Sequence, residues 1–201
     1  MILVPNVRLS FPNIYVQPTY KGEKINFAAT VLIPKSDVST KKMLDDGLAA
    51  LCAEKKINEA MFEKIQNGTL CLKDGDLRFD DEGRPYEGYA GHWSLKGSSR
   101  CAIPAYDRNK MPVSEEENNK KQIFYAGCYV NALVSFWYIK HEKGGLQINA
   151  TMHGIQFVRD GTPFTSAPSK EQIRDGFSNL DSIDGKGIED SFVTENDDLD
   201  I

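Results

Sequence analysis

Between residues 25 and 33 the chain alternates. Ile25, Phe27, Ala29, Val31 and Ile33 fall on one side, and Asn26, Ala28, Thr30 and Leu32 on the other, which predicts a strand with one buried face. Pro34 ends it, and Ser36 or Asp37 stands where a helix N-cap is needed. Leu44, Leu48, Leu51 and Cys52 then recur at helical spacing, with Lys41, Lys42, Asp45 and Asp46 outside the stripe. A second helical piece runs from about Asn58 to Gln66 and closes at Asn67-Gly68. Residues 73–88 are polar and turn-rich, so they read as a loop, and strand character returns at Tyr89–Leu95. A second loop follows over 101–121, with prolines at 104 and 112. A long strand over 123–139 then meets 146–158 across His141-Glu-Lys-Gly-Gly145, a hairpin signal. A short helix is expected near Ser169–Gly176, and beyond it apolar periodicity stops. The expected class is mainly β with an α insertion, as one antiparallel barrel or sandwich.

Composition changes this picture in one respect. The whole chain of 201 residues carries 24 Lys and Arg against 29 Asp and Glu, net −5, which alone argues against a nucleic-acid partner. Residues 175–201, however, hold nine acids and only Lys186 as a base, leaving 23 bases against 20 acids, or +3, over 1–174. The expected organisation is therefore a mildly basic domain, 1–174, followed by a disordered acidic tail, 175–201. The uncharged run from Ile123 to Ile139 is short for a membrane span and rich in Tyr, Phe, Trp and Val, so it reads as a buried strand. The start lacks a basic segment followed by a long apolar stretch, so no signal peptide is expected. Cys52, Cys71, Cys101 and Cys128 form no Cys-x-x-Cys pair and read as reduced, small apolar residues. His92, His141 and His153 fall at no ligand spacing with them, and no metal or other cofactor is expected.

Enzyme templates fail. Gly-x-Ser-x-Gly, His-Glu-x-x-His and a phosphate-binding loop are all absent from the sequence. Asp74-Gly75-Asp76 begins like a calcium loop, but Arg78 and Phe79 occupy positions that need a ligand and a glycine. Glu54-Lys55-Lys56 has the spacing of a metal nuclease, yet it lies on a helix and reads as solvated surface.

What remains is aromatic rings interleaved with bases. Residues 84–112 contain Tyr86, Tyr89, Trp93 and Tyr106 among five bases and two acids. Such a mix suits single-stranded nucleic acid, because bases stack on rings at about 1–3 kcal/mol each while Lys and Arg follow the phosphates. Alternation places Tyr89 and Trp93 on one face with Gly91 and Leu95, against His92 and Lys96. On the later strand Phe124, Val130, Val134 and Phe136 look like core, which leaves Tyr125, Tyr129 and Trp137 as a candidate platform. The competing reading of every one of these rings is core. The tail sets Phe192, Val193, Leu199 and Ile201 among its acids, a pattern that suits a basic groove or a docking partner.

Several fragments in order then carry a family likeness: Val7-Arg8-Leu9-Ser10-Phe11, the run Phe27 to Lys35, Lys73-Asp74-Gly75-Asp76 and Tyr86-Glu87-Gly88-Tyr89. Phe124-Tyr125-Ala126-Gly127-Cys128-Tyr129, Phe136-Trp137-Tyr138, Gly144-Gly145, Gly154-Ile155-Gln156, Arg159-Asp160-Gly161 and the acidic end complete it. In these the chain resembles the phage single-stranded DNA-binding proteins, related in fold and role to podophage-type replication binding proteins. The resemblance implies an OB-fold barrel that coats exposed strands in DNA replication, recombination or repair without catalysis, in the cytoplasm of a bacterial host. It also implies that the apolar residue near the acidic C-terminus of the family is matched by Ile201.

On this reading Tyr86, Tyr89, Trp93, Tyr125 and Tyr129 stack on bases. Arg8, Lys35, Lys96, Arg100, Arg108 and Lys110 contact phosphates, and the 73–88 and 97–121 loops close over the strand. The tail regulates binding and recruits replication proteins, such as a polymerase or helicase-primase, through Phe192, Asp197, Asp198, Leu199, Asp200 and Ile201. A homodimer is compatible with this organisation, and a membrane partner is not expected. Two rivals share the same residues: a β-rich module that binds another protein through the tail, and a metal-dependent nuclease acting on the same substrate.

Overall fold

A computed structural model describes residues 1–141 and 145–164, and Met1–Thr165 form one compact unit. The expected helix at 169–176 and the acidic tail lie outside the described residues. Strands β1 (Ile2–Asn13), β2 (Thr19–Tyr20), β3 (Glu23–Lys24) and β4 (Phe27–Pro34) come first, followed by helices α1 (Val38–Lys55) and α2 (Glu59–Gln66). Then come β5 (Leu72–Asp74), a 3₁₀ turn (Gly75–Leu77), β6 (His92–Ser99), β7 (Ala105–Tyr106), α3 (Glu115–Lys121), β8 (Tyr129–His141) and β9 (Gly145–Arg159).

Five of these close a barrel in the order β6-β4-β1-β8-β9, with β6 and β9 pairing to complete the circle. The expected antiparallel barrel is corrected at this closure. β6 and β9 run parallel, Gly97 opposite Ala150, whereas β4–β6, β4–β1, β1–β8 and β8–β9 are antiparallel. Gly97 permits the closure, since a Cβ there would sit 3.0 Å from Met152. The barrel is filled by Val4, Leu9, Val31, Ile33, Leu95 and Val130, all buried, together with their neighbours. On β8 the even-numbered residues Val130, Ala132 and Val134 point inward, as alternation predicts.

The expected helices form as read. Asp37 caps α1 by accepting the Thr40 N–H at 3.0 Å, and Asn58 caps α2 through the Met61 N–H at 2.9 Å. Glu54, Lys55 and Lys56 end α1 as solvated surface. Leu44, Leu48 and Leu51 bury the inner stripe of α1 against the barrel. The hairpin across 141–145 is present, with His141 opposite Gly145. Burial pushes the Cys71 thiol up to about 12 and the Cys128 thiol up to about 11, so both stay protonated at neutral pH. Among the described residues, no helix is long and apolar enough to cross a membrane.

Several elements differ from expectation: the strand read over 123–139 starts only at Tyr129, and that read over 89–95 only at His92. β1 carries proline at 5 and 12, and its register slips between Val4 and Val7 and again between Ser10 and Asn13, which erases simple alternation. α3 lies in the expected loop at 101–121. No residue of it is buried, and it is held by the Ser114 cap and by Glu116–Lys120 and Glu117–Lys121 pairs at 2.7 Å.

A candidate nucleic-acid interface

An open trough of about 780 Å³ crosses the outer face of β4, β6 and β9. Its floor is made of the short side chains Ala28 and Thr30 of β4 and Ser98 of β6, continued by Asn149 of β9, with the long Lys96 opposite Thr30. One wall is aromatic. Phe11, Tyr86 and Tyr89 cluster with ring centroids 5.3–6.5 Å apart.

Local backbone geometry positions these rings. Phe11 sits at the β1 bulge with φ +47°, which turns its ring outward and leaves it 49% exposed. Tyr86 follows a tight loop in which the Asp80 carboxylate accepts the Glu82 and Arg84 N–H groups, each at 2.9 Å. Asp76 holds the far end of that loop, its carboxylate accepting the Gly91 N–H at 2.6 Å. Tyr89 is only 3% exposed, and its hydroxyl donates to Ser10 at 3.3 Å. The expectation that Tyr89 offers a free stacking face is therefore corrected: it backs Phe11 and Tyr86, which carry the exposed surface.

Cations line the trough too, Arg78 beside the rings, its carbonyl accepting the Tyr86 N–H at 3.1 Å. Lys73, Arg78 and Lys96 all line the trough, and among the described residues none of them makes an ion pair. Lys73 is pushed below the usual lysine value, first by partial burial and then by the charges of Arg78 and Lys96. The Lys73 ammonium donates to the Gly68 carbonyl at 3.0 Å, so three cations with no carboxylate partner among the described residues stand beside the rings.

The other expected residues fall elsewhere. Trp93 does not share a face with Tyr89, because Gly91, at φ +71°, breaks the chain before β6 begins. The indole instead borders a second cleft beside α1 and α2, which adjoins the trough through Leu70, Lys73 and Arg78, with the Lys35 and Lys41 ammonium groups 5.1 and 4.7 Å from its ring centre. Lys35 is not free for phosphate, since its Nζ lies 2.6 Å from both Asp74 and Asp76. This is also what the Asp74-Gly75-Asp76 run does: Asp74 caps the 3₁₀ turn and both carboxylates hold Lys35.

Arg8, Tyr125 and Tyr129 belong to a third cluster that is closed on itself. The Arg8 guanidinium donates to the Gly127 carbonyl at 3.3 Å and to the Thr162 carbonyl, and lies 4.0 Å from the Phe164 ring centre. Arg159 covers Tyr129 at 3.3 Å, and the Tyr125 hydroxyl accepts the Gly161 N–H at 3.1 Å. Phe164 packs against Gly88, so this cluster braces the aromatic loop from behind. Arg100, Arg108 and Lys110 are exposed but do not line the trough, and Arg108 lies over Phe157 at 5.5 Å. From the 73–88 loop Lys73, Arg78 and Tyr86 line the trough, and from 97–121 only Ser98 does.

Of the trough residues, sequence reasoning singled out Tyr86, Tyr89 and Lys96 and missed Phe11, Lys73 and Arg78. The signal for the last two was present: both lie in or beside the polar loop that was expected to close over a ligand.

Known proteins share this architecture. The solved single-stranded DNA-binding protein of bacteriophage Enc34, in complex with single-stranded DNA, matches with a TM-score of 0.65 at 24% identity, over 81% of this chain and 88% of that one. A further structure of the Enc34 protein matches with the same TM-score at 22% identity, over 82% and 84% of the two chains. Putative protein p50 of Acyrthosiphon pisum secondary endosymbiont phage 1 is 33% identical over 171 residues, 82% of this chain and 86% of the relative. The family model described as the Enterobacter phage Enc34 ssDNA-binding protein matches residues 1–186. On the strength of that match and the shared barrel, this chain belongs to the Enc34 family of phage single-stranded DNA-binding proteins.

Proposed function

We propose that this protein binds single-stranded DNA in the trough, without catalysis and with little sequence preference, in phage replication, recombination or repair. Phe11 and Tyr86 stack on bases, and Lys73, Arg78 and Lys96 take the phosphates. The observation that carries this reading is the convergence of exposed rings and three unpaired cations on a floor of short side chains. Every base has a π-face, so ring stacking together with phosphate contacts requires no particular sequence. Family membership supports the same ligand.

The acidic tail is proposed to compete with DNA for the cations and, once displaced, to recruit replication proteins. The opposite charges of residues 1–174 and 175–201 motivate this.

Anisotropy titration of a labelled oligo-dT tests the main reading. Three neutralised phosphates give a slope of log K against log salt near −2, at roughly −0.7 each. Salt-independent or absent binding would overturn it in favour of a protein-binding module. Deleting 178–201 is expected to tighten binding at low salt, and unchanged affinity would remove the competition.

A further inference from the structure

We infer that the strand path does not end in the trough but continues across β9 onto Trp137, a second stacking position on β8. This rests on the proposed binding of single-stranded DNA and extends it. Residues directly opposite in a ladder point to the same face of the sheet. Asn149 and Gln147 of β9 line the trough, and their partners on β8 are Trp137 and Ile139. The outer face therefore runs without a break from Lys96 and Ser98, over Asn149, to the indole of Trp137. The step from β6 to β8 is two interstrand spacings, roughly 10 Å.

The two tryptophans differ in availability. Trp93 has two lysines against its ring. Trp137 is 39% exposed, and among the described residues its indole has no ring partner, no cation over it and no side-chain hydrogen bond. It is also the one ring of the expected β8 platform left open, since Tyr125 and Tyr129 are engaged in the Arg8 cluster. A large open ring beside Ile139 on a sheet face continuous with a cationic trough fits an extruded base.

The test uses the full chain with dT oligomers of about 4 and about 12 nucleotides, which bracket the shorter and longer footprints of such barrels. In Trp93→Phe, Trp137 is the only tryptophan, and its fluorescence is expected to be quenched by the longer oligomer and barely changed by the shorter. Trp137→Ala is expected to weaken the longer oligomer about tenfold and the shorter by less than about twofold. Thermal melting and the conservative Trp137→Phe, expected to retain most affinity, control for folding. Unchanged fluorescence while anisotropy shows tight binding of the longer oligomer overturns the extension and leaves the trough intact. An equal loss for both lengths also overturns it. If neither oligomer binds the unmodified protein, the trough reading itself has failed. A change in oligomeric state in Trp137→Ala, with unchanged DNA affinity, reassigns the ring to a contact between copies.

Discussion

The trough and the cluster around Arg8 are built from the same kinds of side chain and behave differently. Both combine aromatic rings with arginine or lysine. In the cluster every group has an internal partner: Arg8 reaches the Gly127 and Thr162 carbonyls and the Phe164 face, and Arg159 covers Tyr129. In the trough, Phe11 and Tyr86 keep exposed surface, and among the described residues Lys73, Arg78 and Lys96 have no carboxylate partner, only Lys73 donating to a carbonyl, that of Gly68. A ring and a cation close together make a cation–π contact worth roughly 0.5–2 kcal/mol to the fold. They make a ligand site only where the fold leaves them unsatisfied. Residue composition does not separate these outcomes, but the partners do.

The sharpest way to break the comparison is at Gly127. Its φ is +110°, and a Cβ would stand 2.2 Å from the Thr162 carbonyl oxygen, so Gly127→Ala strains the backbone and wedges the cluster apart. A loss on the order of 3 kcal/mol is expected, seen as a lower denaturant midpoint, while the fraction that remains folded binds oligo-dT normally. A variant that melts normally but does not bind would place the cluster in the interface.

The reciprocal experiment neutralises the trough. Replacing Lys73, Arg78 and Lys96 together with Gln is expected to cost about 100-fold or more in affinity at low salt and to flatten the salt slope from near −2 towards zero. Stability should hold or rise. Partial burial and its neighbours hold Lys73 below its ordinary value, so its charge opposes folding. Thermal melting and titration on the same preparation check both halves. Tyr86→Ala comes next, with about tenfold weaker binding and little change in melting, since the ring is half-exposed at the trough wall. Tyr89→Ala, by contrast, is expected to lower the melting temperature as well, because that ring is buried.

Much of the barrel was legible because its signals are local. β4, α1, α2 and the β8–β9 hairpin each announce themselves by periodicity, caps or a Gly-Gly turn. β1 was not legible, because two prolines and two bulges break the alternation that marks a strand. α3 escaped for the opposite reason, having no apolar face to detect. At the trough, the sequence suggested rings and bases together without showing which of them the fold leaves open. Tyr125 precedes β8 and Trp93 lies beyond the Gly91 break, and whether either ring is free depends on Gly161 or Lys41, far away in the chain. Phe11 became a site residue only through a bulge. Lys35 looked like a phosphate contact until Asp74 and Asp76 folded onto it.

That pairing gives the smallest and most discriminating effect. The Lys35 ammonium and the Gly91 N–H hold the Asp76 carboxyl below its usual range. A carboxylate whose folded value lies below its unfolded one adds stability above the unfolded value, near 4, and loses it as pH falls through the folded value. Asp76→Asn should therefore flatten this part of the acid limb, read as the difference between variant and parent in urea midpoints from about pH 5 down to 2. Both components are exposed, so the effect at neutral pH is small. DNA affinity at pH 7 is expected to stay within about twofold, because Asp76 fixes only one end of the loop that carries Tyr86, while the Asp80 turn and the Phe164–Gly88 contact hold the rest. A large gain of affinity with unchanged melting would show that the Asp76 carboxylate competes with a phosphate for Lys35, and would move Lys35 from the closed class to the open one.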